Sequence, residues 1–213
     1  MKIRCSSLLF ILVALLITVG CAYNKTIEGF NAIEWFEMGR QASIDNRLDK
    51  ALDAFNKAIE LDPKVAKTYV NRGHAYSYLG NYNQAIADYN KVIELDPGDT
   101  EIYVNRGNAY DSLGNYKQAI ADYDKAIELN PKNTHAYVNR GGAYVKLGNH
   151  KQAIADYDKA IELTAEFALA YYNRGLAYSA FGNHNQAIAD WKIAARLGLK
   201  EAQDYLKQQG IAW

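Results

Sequence analysis

Cysteine, proline and net charge are all scarce in this chain. Of 213 residues only two are cysteine and three proline, and 24 basic side chains balance 24 acidic ones. Two cysteines, Cys5 and Cys21, cannot frame a disulfide-stapled domain or supply a thiolate metal cluster. The charge balance lacks the basic excess that marks a nucleic-acid partner. The main apolar run, Leu8 to Val19, has twelve residues interrupted only by Thr18, which is too short for an ordinary membrane span. The four histidines, His74, His135, His150 and His184, stand in no HExxH-like cluster, so no metal site is expected.

What is present is a period. The stretch Tyr69-Val-Asn-Arg-Gly73 returns after 34 residues, with Tyr103, Tyr137 and Tyr171 opening the copies and Gly107, Gly141 and Gly175 in phase. Blocks starting at Ala32, Ala66, Thr100, Thr134 and Ala168 tile residues 32–201 without a gap, as 32–65, 66–99, 100–133, 134–167 and 168–201. The third and fourth share 24 of 34 positions, which chance composition does not produce. A fixed period of this size marks an array of like supersecondary units.

Each block carries two amphipathic helical patterns. The first runs from Ala66 to about Leu79, closed by Gly80-Asn81 in the manner of a left-handed C-terminal residue. The second runs from about Asn83 to Leu95 and stops at Asp96-Pro97, because a residue before proline avoids the helical region. Tyr69, Gly73 and Tyr76 share one face of the first helix; Ala85, Tyr89 and Val92 share one face of the second. Glycine inside a helix costs about 1 kcal/mol against alanine. That cost is reasonable if Gly73 and Ala85 bring the two helices close while the aromatic rings fill the space around them.

Tyr103, Gly107, Tyr110, Ala119, Tyr123, Ala126 and Pro131 resemble the pattern of the tetratricopeptide repeat, a helix–turn–helix unit. The first block fits with Trp35, Gly39, Ala51, Phe55, Ala58 and Pro63 but has Ala42 at the second aromatic place. The last two carry Ala165 and Leu199 in place of the proline. The resemblance implies an all-α fold, a right-handed α-solenoid of five repeats. One unit cannot bury its own apolar face, so the copies must stack and be capped. Leu199 to Gln209 reads as the C-terminal capping helix, in a cap assigned to residues 202–213.

Residues 1–20 read as an address. Lys2 and Arg4 precede the apolar run, as in a signal peptide, and Thr18-Val19-Gly20-Cys21 resembles the bacterial lipobox, in which the cysteine is lipidated. Thr18 departs from the usual leucine. Ordinary cleavage after Ala22, giving a secreted or periplasmic protein, and a retained anchor stay open beside lipidation at Cys21. The lipoprotein reading implies a tether over residues 21–31 and a place in the bacterial envelope, with the outer membrane favoured by Ala22. Loss of residues 1–20 leaves 22 basic against 24 acidic side chains, which again speaks against nucleic acid.

Asn71, Asn105, Asn139 and Asn173 recur two places after each opening tyrosine; Glu37 stands there in the first block. In peptide-binding members of the resembled family, asparagines at this place line the concave groove and hold the backbone of an extended peptide. One amide supplies both a donor and an acceptor. The alternative is that the asparagines merely recur with their neighbours. Selectivity would rest on places one turn to either side: Lys67, Glu101, His135 and Leu169, then His74, Asn108, Gly142 and Leu176. Tyr172 replaces the valine of earlier copies. These places turn from polar to apolar toward the C-terminus, which would fix a peptide's direction.

Arg72, Arg106, Arg140 and Arg174 follow the asparagines, and Asp88, Asp122, Asp156 and Asp190 recur before each second-helix aromatic. The first block has Met38 and Ala54 at these two places, so the charges come and go together. We read them as structural ion pairs between the two helices of a repeat, the alternative being an anion-binding row. No nucleophile–base pair stands outside the repeat pattern, so neither catalysis nor a cofactor is expected. The sequence therefore points to a scaffold for a protein or peptide partner, with homo-oligomerisation open. A structural assembly factor, similar to the pilotin lipoproteins and acting through its convex or end surface, is the alternative.

Overall fold

The computed structural model describes residues 29–213. The address segment and Cys21 lie outside the described residues. These hold eleven α-helices and no strand: α1 Ala32–Ile44, α2 Leu48–Leu61, α3 Ala66–Tyr78, α4 Tyr82–Leu95, α5 Thr100–Ser112, α6 Tyr116–Leu129, α7 Thr134–Lys146, α8 His150–Leu163, α9 Ala168–Ala180, α10 His184–Arg196 and α11 Lys200–Gln208. Ten form the five repeats that the period predicts, each an A helix followed by a B helix. The eleventh caps them, and it starts at Lys200, inside the last block.

The turns follow from local chemistry. Gly80 takes a φ of 77°, and Asn81 N–H reaches back to the Tyr76 carbonyl at 2.8 Å, so the last carbonyls of α3 are satisfied. Gly114, Gly148 and Gly182 close α5, α7 and α9 with the same hand. Asn46, at φ 56°, does this for α1, asparagine being the side chain that best tolerates the left-handed region. The first four B helices end on an extended residue, such as Asp96 at φ −144° and ψ 90°, whereas α10 closes at Gly198 with a φ of 93°. Thr164 adopts nearly the same angles without a proline near it, so proline favours this turn but is not required for it.

Within a repeat the two helices touch at glycine. A Cβ placed on Gly39, Gly73, Gly107 or Gly141 would fall 2.5–2.7 Å from the ring of Phe55, Tyr89, Tyr123 or Tyr157. At Gly175 it would meet the Trp191 indole. Ala51, Ala85, Ala119, Ala153 and Ala187 are fully buried on the facing helix. Small residues thus set the spacing and rings fill the volume around them, as the sequence suggests.

Each B helix packs on the A helix that follows, and α1 with α3, α5 with α7 and α7 with α9 also meet directly. The A helices therefore form the inner row of the right-handed solenoid. Both ends are finished differently from the middle. Thr68, Ile102, Ala136 and Ala170 are buried against the preceding repeat, whereas Glu34 holds that place in α1. Its carboxylate instead accepts from Asn31 N–H in a reciprocal cap at the start of α1. At the other end α11 buries Ala202 and Leu206 and sets Tyr205 edge-on to Trp191, ring centres 4.5 Å apart.

Candidate functional site

The asparagine places fall on the inner row, where one A helix meets the next. Asn105 donates to His74 Nε2 at 3.1 Å, and Asn139 donates to Asn108 Oδ1 at 2.9 Å. Each of these amides thus crosses to the preceding repeat. Asn71 instead turns its N–H back onto the Lys67 carbonyl at 2.8 Å, and Asn173 has no partner among the described residues. All four are half-buried. Sequence reasoning gave the column; it did not give these cross-repeat bonds, which need the neighbouring helix in place.

The flanking residues are distributed as follows. Lys67 holds its ammonium 5.3 Å from the Phe36 ring centre. His74 packs edge-to-face on Tyr89 while its outer edge stays open, and burial of the ring lowers the imidazole pKa. The Glu101 carboxylate accepts from Asn133 Nδ2 at 3.2 Å, and the His135 ring sits 5.2 Å from that of Phe167. Glu101, Asn133, His135 and Phe167 line a cleft of about 290 Å³ at the loops joining repeats. Leu169 and Leu176 are 41% and 44% exposed on α9; the Tyr172 carbonyl between them accepts from Trp191 Nε1 at 3.2 Å.

The arginines lie at the seam between helices. Arg72 Nε and Nη2 donate to the two oxygens of Asp88 at 2.9 and 2.6 Å, and Arg106, Arg140 and Arg174 grip Asp122, Asp156 and Asp190 in the same fork. The remaining nitrogen, Nη1, reaches back sixteen residues, to Asn56, Asn90, Asp124 and Asp158 in turn. These second partners were missed in the sequence, although they recur with the period, because they belong to the preceding repeat. Each guanidinium also lies over the tyrosine three residues before it, as Arg106 does over Tyr103 at 5.7 Å.

Hydrogen bonding to Asp156 and Asp124 pushes Arg140 up, and Asp190 and Asp158 do the same for Arg174. Burial pushes the Asp88 and Asp156 carboxyls above the ordinary carboxylate range against the pull of their arginines. Among the described residues no B helix precedes the first repeat, and Met38 and Ala54 stand there in place of the charged pair. Among the described residues no three histidine, cysteine or acidic side chains converge as metal ligands, and no helix is long and apolar enough to cross a membrane.

Family models described as tetratricopeptide repeat match residues 66–99, 100–133 and 122–155, and one described as TPR repeat matches 44–80 and 141–182. No curated protein matches the chain. Among solved structures, MamA is 31% identical, with 78% of this chain and 97% of that one covered at a TM-score of 0.71. YrrB, described as a TPR protein with an unusual peptide-binding site, is 25% identical over 83% of this chain and 92% of its own, at 0.67. A thermophilic TPR protein of Thermus thermophilus, 20% identical and covered over 84% and 97%, shares the fold at 0.65.

Proposed function

Because the chain belongs to the tetratricopeptide repeat family, we propose that it is a peptide-binding scaffold that holds an extended partner segment along its inner surface. The observation that carries this reading is the asparagine column. Asn71, Asn105, Asn139 and Asn173 recur one repeat apart on the row where A helices meet; the first three keep an amide oxygen or N–H beyond the bond they make, and Asn173 bonds no other described residue. Such bonds grip a backbone regardless of its side chains. Lys67, His74, Glu101, Asn108 and His135 would read polar side chains, and Leu169, Tyr172 and Leu176 apolar ones, so the segment would lie in one direction. The peptide-binding site described for YrrB supports the class of ligand.

We place this scaffold in a bacterial envelope, tethered through lipid on Cys21 and facing an aqueous compartment. One acyl chain anchors only marginally and several anchor firmly, so a lipidated N-terminus would keep the repeats at a membrane that none of the described helices is long and apolar enough to cross. Cys21→Ser should then release the protein from membranes and abolish acyl labelling; unchanged fractionation of the variant with an unlabelled parent overturns the tether.

Crosslinking in intact cells, read by mass spectrometry, should place partner crosslinks on the inner row. Replacing any one asparagine by alanine should then weaken capture by about 0.5–1.5 kcal/mol, up to roughly tenfold. Replacing all four should abolish it with helicity unchanged. A quadruple variant that captures its partner normally sinks the groove reading and moves the contact to the convex or end surface.

A further inference from the structure

One place on the inner row breaks the pattern of its neighbours. Asn108 Oδ1 is an acceptor shared by two donors, the Tyr123 hydroxyl at 2.8 Å and Asn139 Nδ2 at 2.9 Å. Both donors recur one repeat later as Tyr157 and Asn173, but the acceptor does not, because Gly142 stands where Asn108 stood. The nearest atom to a Cβ built on Gly142 is the Tyr157 hydroxyl oxygen, 4.0 Å away, so the space is open and faces that hydroxyl.

The other way of satisfying this phenol is also gone. Ser77 bonds the Tyr89 hydroxyl at 3.1 Å two repeats earlier, and the corresponding residue here is Val145. Tyr157 is only 2% exposed, yet its hydroxyl has no partner among the described residues, and neither has the Asn173 amide. The ring is buried but the hydroxyl is not sealed off, since His150 Nδ1 is the one buried side-chain polar atom without a partner among the described residues; the phenol therefore opens into the notch, free to bond a ligand in place of water. Burial raises the Tyr157 pKa, so the phenol stays protonated and offers its hydrogen.

We propose that the notch at Gly142 is a subsite for a carbonyl oxygen of the bound peptide, which accepts from both the Tyr157 hydroxyl and the Asn173 amide. It thereby takes the place that Asn108 Oδ1 fills one repeat earlier. The oxygen is neutral, a peptide or carboxamide carbonyl. The cations nearby are already held, Arg140 and Arg174 in their carboxylate forks and Lys146 by Asp111 at 2.5 Å. Leu169 and Leu176 lie four and three residues from Asn173, on the same face of α9. They give the side chain next to that carbonyl an apolar seat, so the peptide presents an aliphatic residue there. This subsite deepens the groove reading and rests on it for the rest of the peptide.

N-acetyl-leucine amide carries the required carbonyl and aliphatic chain, and it is too small to span the groove. Titrated into the full chain, it should shift the Asn173 side-chain amide resonances saturably. Gly142→Asn should abolish that response, because the introduced carboxamide supplies the acceptor from within, and should raise the melting temperature. Tyr157→Phe keeps the ring and should weaken binding roughly three- to tenfold. No saturable shift at Asn173 in the parent, or an equal shift in Gly142→Asn, overturns the subsite. A variant lacking the Asn71 and Asn105 amides should respond like the parent. Failure of the wider groove would therefore leave this result standing, and failure here would leave the groove to its own test.

Discussion

Arg106 holds Asp122 with two prongs, Nε on one carboxylate oxygen at 2.8 Å and Nη2 on the other at 2.6 Å, and Asp122 is 5% exposed. Its third nitrogen reaches Asn90 at 2.6 Å. One side chain therefore joins α5 to the B helix of its own repeat and to that of the repeat before. Lysine, with a single ammonium, could not serve all three bonds. Removing Asp122 alone leaves a charge in a poorly hydrated seam, a change that costs about 3–5 kcal/mol. Asp122→Ala should lose stability in that range in urea unfolding. Arg106→Met combined with Asp122→Ala, the pair that nature places at Met38 and Ala54, should lose clearly less than Asp122→Ala alone. A double variant no more stable than the single one would show that the pair is not acting as a unit.

How much of this was legible in the sequence depends on whether a contact lies inside one repeat. Gly107 under Tyr123, and Arg106 beside Asp122, join residues of a single block, so the period and helical phase were enough to place them. The bonds from Arg106 to Asn90, from Asn105 to His74 and from Lys146 to Asp111 cross a repeat boundary. They depend on the rotation from one repeat to the next, which no helical periodicity contains. Gly142 was legible as a variable place but not as a notch. Its meaning lies in what Asn108 does with Tyr123 and Asn139, a bond network visible only once the chain is folded.

Gly141 and Gly142 are neighbours in the same helix, and they should respond to the same substitution with opposite sign. A Cβ on Gly141 would lie 2.7 Å from the Tyr157 ring, and a core that cannot yield loses about 1–3 kcal/mol when overpacked. A Cβ on Gly142 meets nothing nearer than 4.0 Å, and alanine favours the helix by about 1 kcal/mol. Gly141→Ala should lower the denaturation midpoint and Gly142→Ala should raise it. Equal effects would mean that ring contact does not set the interhelical distance.

His74 should make the inner row sensitive to mild acid. Asn105 Nδ2 can only donate, so His74 Nε2 accepts and the proton sits on Nδ1. Burial lowers the imidazole pKa below its ordinary 6.5, so the unfolded chain takes up the proton first as pH falls. The contribution of His74 is full above about pH 6.5 and is lost as pH falls through the lower folded value. Nuclear magnetic resonance titration should give His74 a midpoint below 6.5. His74→Asn, which mimics Asn108, should flatten the fall in stability between pH 7 and about 5. A midpoint above the ordinary value would mean that protonation strengthens this contact.

The capping helix should protect the last repeat and little else. Leu206 is fully buried and Tyr205 meets Trp191 edge-on, so α11 covers the outer face of α10. Truncating a buried leucine to alanine costs about 2–5 kcal/mol. In a solenoid each repeat touches only its neighbours, so this loss should stay local. With Trp35 and Trp213 changed to phenylalanine, emission reports Trp191 alone. In that background Leu206→Ala should let the Trp191 transition occur at lower urea than the loss of helical circular dichroism, whereas with Leu206 intact the two coincide. If both transitions instead fall together by the same amount, the five repeats unfold as one unit, and the cap stabilises the whole array rather than its end.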